Sequence, residues 1–291
     1  MTRPYKLLLD NSAVKVIHLQ KLLQAKLDRL LESGQVDLLV PPILLHERFD
    51  FLISVVQHST ILQVANLFLN LKWKGILREI NGPQGIMRLE LEGDPIGSIL
   101  YDDEFSSKLK EHLKTAMIDP SHLEVSDRKI LEDYKRFRCE LKDGNLGELE
   151  DINQQFKAMT AGQEIIMDEP PFPFMYKYMD REIQRHLPNI CSQKSVEDLY
   201  RYWKNNKNTC PYFNKYIEGF LFVRWYAMKV PGKRHLDKNW LEDLEYLIYL
   251  IEADGMVAEE KGFMKEACEA LFPNKDFMNV DECTQRLVEI Q

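Results

Sequence analysis

The sequence predicts an α/β fold: a parallel sheet flanked by helices, its two halves separated along the chain by a mostly helical insertion. Three observations predict it. The first ~60 residues alternate short apolar runs with amphipathic runs, reading strand, helix, strand, helix. The end of the chain repeats the pattern from about residue 239. The stretch between, roughly 85–230, is dominated by helical spacing. Strand–helix alternation of this kind argues for parallel strands joined by helical crossovers.

The elements follow in order. "YKLLLD" (5–10) reads as a buried strand ending on Asp10. "NSAVKVIHLQKLLQAKLDRLLESGQ" reads as helix, with Ser12 or Asp10 able to cap it and Gly34 as its stop. "VDLLV" (36–40) is the second strand, and Pro42 suits the first turn of a helix carrying "ILLHERFDFLISVVQH". A further helix is expected over about 61–78. "GIMRLELEGDPIGSILY" (85–101) alternates, turns at Gly-Asp-Pro and runs apolar again, which predicts a β-hairpin. Residues 105–118, 127–158, 175–186, 195–207 and 214–229 read as helices. A helix over 239–252, a strand at "GMVAE", a helix through "FMKEACEALF", a short strand at "DFMNV" and a last helix complete the chain.

Composition narrows the class. The chain has 291 residues, 45% of them hydrophobic, enough for a full core. No apolar run approaches a membrane span, and "MTRPYKLLLDNS" turns polar too soon for a signal peptide. The five cysteines are scattered, without the spacing of a zinc site, and read as free thiols of a cytoplasmic protein. A net charge of −8 argues against coating nucleic acid through bulk charge, although a nuclease centre is itself acidic. GxSxG, P-loop, GxGxxG and HExxH patterns are absent.

The acids supply the functional expectation. A helix over 240–252 travels back ~20 Å and a strand over 255–260 returns ~17–20 Å. Asp243 and Glu260 should therefore both reach the C-terminal edge of the sheet, where open α/β sheets bind ligands. Asp10 ends the first strand on that edge, and Glu47 lies in the helix leaving it. Crowded carboxylates need a neutralising partner, and oxygen ligands suit Mg²⁺ or Mn²⁺. A cation so held can activate water and stabilise the anionic transition state of phosphodiester cleavage. "KRHLDKNW" places Lys233, Arg234 and Lys238 just before the acidic helix, the best basic cluster for phosphate. "RYWKNNKN" mixes Arg201, Lys204 and Lys207 with Tyr202 and Trp203.

At "LLLDNS", "VPPILLHE", "LEDLEYLIYL" and "ADGMVAEEKGFMKEA" the sequence resembles the PIN-like nuclease family. The match covers about 85 residues at the two ends of the chain. The resemblance implies a single PIN-like domain over 1–291, a three-layer α/β/α sandwich with its core from 1–80 and 236–291 and an insertion at 85–230. It implies Mg²⁺ or Mn²⁺ held by Asp10, Glu47, Asp243 and Glu260, and an RNA substrate. The sequence departs from the family at Ala258-Glu259-Glu260, where relatives place a Thr or Ser hydroxyl and an Asp, and at Trp240 after Asn239, where relatives with an Asn-Asp pair place Asp. Those departures motivate an alternative, a binding or regulatory protein that keeps the sheet without cleavage. The insertion is also a candidate surface for self-association or a protein partner.

Overall fold

A computed structural model describes residues 3–17, 20–41, 74–75, 82–93, 170–191, 194–229, 236–259 and 262–290, with isolated positions at 111, 149–151, 153–154 and 158. Five strands form one all-parallel sheet: β1 (Tyr5–Leu9), β2 (Val36–Val40), β3 (Lys74–Gly75), β4 (Gly255–Val257) and β5 (Asp276–Met278), in the order β3-β2-β1-β4-β5. β1 is central. Leu7, Leu8 and Leu9 are all buried, as a strand covered on both faces requires. Its register sets Leu7 beside Leu38 on one side and Gly255 on the other.

Nine helices accompany the sheet among the described residues: α1 (Asn11–Ile17), α2 (Lys21–Glu32), α3 (Gly82–Glu92), α4 (Pro171–Ile190), α5 (Val196–Asn205), α6 (Pro211–Lys229), α7 (Lys238–Ile248), α8 (Phe263–Leu271) and α9 (Val280–Glu289). α1 and α2 connect β1 to β2, and α8 connects β4 to β5. α6 is the hub of the helical part. It packs on α3, α4, α7 and α8, and buries every residue from Gly219 to Val223, more than a full turn. Gly219 lets α6 approach α7, since a Cβ there would collide with Leu244. Asn153 ties the middle of the chain to the start of α7: its side chain accepts from Leu236 N–H at 2.6 Å and donates to Leu236 C=O at 3.4 Å.

The N-terminal edge of the sheet is closed by its own polar lock. Tyr5 donates its hydroxyl to Asp276 at 2.7 Å, reaching from β1 over β4 to β5. Gly255 makes that reach possible, because a Cβ there would strike the phenol oxygen. Arg286 from α9 bonds the same carboxylate at 3.2 Å. Asp254 accepts from Lys6 N–H at 2.9 Å and pairs with Arg3 at 2.7 Å.

Two expected elements differ. Lys74 and Gly75 pair with Leu39 and Val40 as β3, where a helix over 61–78 is expected from the sequence. A two-residue strand has no periodicity of its own; the free edge of β2 makes it a strand. Residues 82–92 form α3, not the first arm of a hairpin. The run Arg88-Leu89-Glu90-Leu91-Glu92 alternates, yet Ile86, Met87, Glu90 and Leu91 are the buried set, which is helical spacing. The helix expected over 43–58 and the second arm of the hairpin lie outside the described residues; of the helices expected over 105–118 and 127–158, the described positions 111, 149–151, 153–154 and 158 are helical. Cys191, Cys210, Cys268 and Cys283 are free and buried, and burial pushes the Cys210 thiol up to about 11 and the Cys268 and Cys283 thiols up to about 12. No helix among the described residues is long and apolar enough to cross a membrane.

Candidate active site

The strand order reverses between β1 and β4. From β1 the chain moves to β2 on one side, and from β4 to β5 on the other. The crevice at the carboxyl ends of those two strands is the position at which open α/β sheets bind ligands. Asp10 stands there. Its N–H donates to Val257 C=O at 2.9 Å, extending the β1–β4 ladder by one residue. Its C=O accepts from Val14 N–H at 3.1 Å, so the same residue starts α1. Asp10 is only 5% exposed.

Ser12 organises the crevice. Its N–H donates to Asp10 Oδ2 at 2.9 Å, and its hydroxyl donates to the same oxygen. The hydroxyl also accepts from Glu259 N–H at 2.9 Å, across 247 positions of sequence. One side chain thus joins the end of β1, the first turn of α1 and the segment leaving β4. Both Ser12 donors use Oδ2, which leaves Oδ1 of Asp10 uncommitted among the described residues.

Glu259 is the acid that the structure sets beyond β4. β4 ends at Val257, and Ala258 N–H donates to Met278 C=O at 2.9 Å. Glu259 is exposed, and its Oε1 accepts from Val280 N–H at 2.8 Å, in the first turn of α9. A carboxylate there also meets the positive end of the α9 dipole. The start of α9 carries a capping box as well, with Asn279 and Glu282 bonding each other's N–H groups at 2.8 Å.

The expected ligands fare unevenly. Asp10 lies at the C-terminal edge. Asp243 is half-buried on α7, which starts at Lys238 with Asp237 as its N-cap, so Asp243 sits in the second turn rather than the first. Counting the helical rise from Asp243 to Ile251 (~13 Å) against the extended return from Gly255 to Glu259 (~13 Å) sets Asp243 about level with Glu259. Glu47, Glu260, Lys233 and Arg234 lie outside the described residues, as does the side chain of Lys238. No group of three His, Cys, Asp or Glu that could hold a metal ion occurs among the described residues. Asp10, Asp243 and Glu259 therefore form no such group by themselves.

Two participants were not chosen from the sequence. Ser12 reads there as a helix cap only, although an acid ending a strand with a hydroxyl two residues on is a local sign of a folded-back turn. Glu260 is the strand-end acid for a strand running to 260; the strand stops three residues earlier, and Glu259 is the described acid beyond it. Ser12→Ala removes a donor to Asp10 and strands the Glu259 N–H. It is expected to cost about 1–2 kcal/mol in urea unfolding.

No family model, no curated protein and no solved structure matches this chain. Its functional reading therefore rests on the fold and the crevice.

Proposed function

We propose that the chain is a divergent PIN-like nuclease that hydrolyses phosphodiester bonds of RNA with Mg²⁺ or Mn²⁺. The observation that carries the reading is Asp10 at the end of the central strand, beside the reversal of strand order in an all-parallel sheet. The reading includes a three-layer sandwich. Right-handed crossovers that leave β1 and β4 in opposite directions put their helices on opposite faces of the sheet. Residues 85–230 are its helical insertion.

The donor chemistry suits the cation: Asp10, Asp243, Glu47 and Glu260 offer hard carboxylate oxygens and no thiol or imidazole. When bound, the cation supplies a lowered water pKa and charge stabilisation. The protein's own part is orientation. Ser12 holds one Asp10 oxygen and leaves the other uncommitted among the described residues, and Lys233, Arg234 and Lys238 would hold the phosphate chain. The test is cleavage of labelled single-stranded RNA with Mn²⁺. Asp10→Asn is expected to abolish it, since the amide removes the charge but keeps the shape. Equal cleavage by the variant, or none by the wild type over several RNA sequences, rejects the reading.

A second reading has its own observation. The Glu259 carboxylate is bonded to Val280 N–H, a structural duty for the acid whose own N–H meets Ser12 beside Asp10. That arrangement fits a binding or regulatory protein that keeps the sheet without cleavage. Mn²⁺ binding by calorimetry that Asp10→Asn removes supports the nuclease; no heat of binding supports the second reading.

A further inference from the structure

The charges of α5 are segregated along its axis. Glu197 and Asp198 lie in the first turn, where Ser195 caps the helix by accepting from Asp198 N–H at 3.1 Å. Those acids serve the helix start. From Leu199 to Ile217 the chain carries Arg201, Lys204, Lys207 and Lys215 and no acid. Lys215 is engaged by Glu218 at 2.6 Å and by Leu271 C=O at 2.8 Å. Arg201, Lys204 and Lys207 are exposed. Among the described residues Arg201 has Asp198 at 3.7 Å, with both side chains mostly in solvent, a weak pair.

Aromatic rings are interleaved with these cations. Tyr200, Trp203, Lys204 and Lys207 recur at helical spacing, one stripe continued into the short 3₁₀ turn at Lys207–Thr209. Lys204 lies over the Tyr200 ring at 5.7 Å and Lys207 over the Trp203 ring at 4.5 Å. The two rings are 5.8 Å apart. Trp203 is buried and fixed by its indole N–H, which donates to Asn214 at 2.7 Å. Tyr200 is half-buried. Trp203 is thus held in place before anything binds and Tyr200 packs against it, which lowers the ordering cost of binding.

Resting on the RNA nuclease reading, we propose that this face of α5 and the following turn is a docking surface for single-stranded RNA, outside the sheet crevice. Arg201, Lys204 and Lys207 contact phosphates and Tyr200 stacks a base. An exposed cation–π contact is weaker than base–aromatic stacking, so an incoming base displaces Lys204 from Tyr200 and frees it for phosphate. A duplex hides its base faces and cannot use the ring.

The test is fluorescence anisotropy of a labelled 15-nucleotide oligouridine (a length of about one binding site) in EDTA, which removes cleavage from the readout. The variant Arg201→Gln, Lys204→Gln, Lys207→Gln is expected to raise Kd about tenfold and to flatten the salt dependence by about 2 log units per log unit of salt, three phosphates at ~0.7 each. Tyr200→Ala is expected to weaken binding about fivefold or more and Tyr200→Phe to leave it unchanged. Circular dichroism checks that each variant folds. An unchanged Kd for the triple variant, equal affinity for the corresponding RNA duplex, or no wild-type binding at low salt overturns the surface. Cleavage in Mn²⁺ with binding indifferent to the triple variant rejects the surface alone. Patch-dependent binding without cleavage rejects the nuclease reading alone.

Discussion

Arg224→Ala is expected to destabilise the protein by about 3–5 kcal/mol, a drop of about 5–8 °C in Tm. Arg224 on α6 pairs with Glu182 on α4, whose side chain is 1% exposed. His186, equally buried, brings Nε2 to 3.7 Å from the other Glu182 oxygen, too long for a hydrogen bond but close for a charge. Burial pushes the Glu182 carboxyl up. His186, Arg224 and Arg185 outweigh burial and hold it below the usual carboxylate range. A folded pKa below the unfolded one contributes stability above pH ~4.3, lost as pH falls through the folded value. Without Arg224 the largest balancing charge is gone, and the buried carboxylate is left under-compensated, with His186 and Arg185 alone of the groups that lower it. The double variant Glu182→Leu, Arg224→Met is expected to recover most of the loss, because apolar side chains of similar size carry no desolvation cost. Thermal melts of the two variants check both statements. A loss under 1 kcal/mol for Arg224→Ala would remove the pair from the list of what holds α4 to α6.

Stability is expected to fall between pH 5 and pH 8 through Glu90. This carboxylate on α3 is 2% exposed and caps the start of α6, accepting from Tyr212 N–H at 2.9 Å and Phe213 N–H at 2.8 Å. Burial pushes the carboxyl up to about 7, and the two N–H donors pull against it without restoring the ordinary value. A folded pKa above the unfolded one gives stability that is complete below pH ~4.3 and is lost as pH rises through about 7. The difference is of the order of 3 kcal/mol. Glu90→Gln removes this pH dependence. It also turns an amide NH₂ toward one of the two N–H donors, so it is expected to be less stable than the wild type at pH 5. Urea unfolding at pH 5 and pH 8 measures both effects, and a pH slope that survives in Glu90→Gln would assign it to other groups.

The candidate site was legible in part. Asp10 could be found because an apolar run that stops on an acid and is followed by helical spacing is a local pattern, complete within a dozen residues. Asp243 could be assigned to a helix beside the sheet in the same way. The choice between Glu259 and Glu260 depended on where β4 stops, and strand ends are set by the partner strand rather than by the strand itself. β4 is paired over three residues only, with β1 and β5. Ser12 could be read as a cap, but its bond to Glu259 spans 247 positions and has no local trace.

By itself the sequence determined the alternation at both ends of the chain, the free thiols, and the buried strand that carries Asp10. These are properties of side chains within a turn or two of one another, where spacing decides which face is apolar. Tertiary structure alone decided β3, whose two residues are a strand only because β2 has an open edge. It also decided α3, where burial of Met87, Glu90 and Leu91 overrode an alternating run. The Glu90 cap, the Glu182–Arg224 pair and the reach of Tyr5 over Gly255 belong to the same class. Each takes a polar group wholly or partly out of water, which is tolerated only where a distant segment brings the charge or hydrogen bond that offsets the lost hydration.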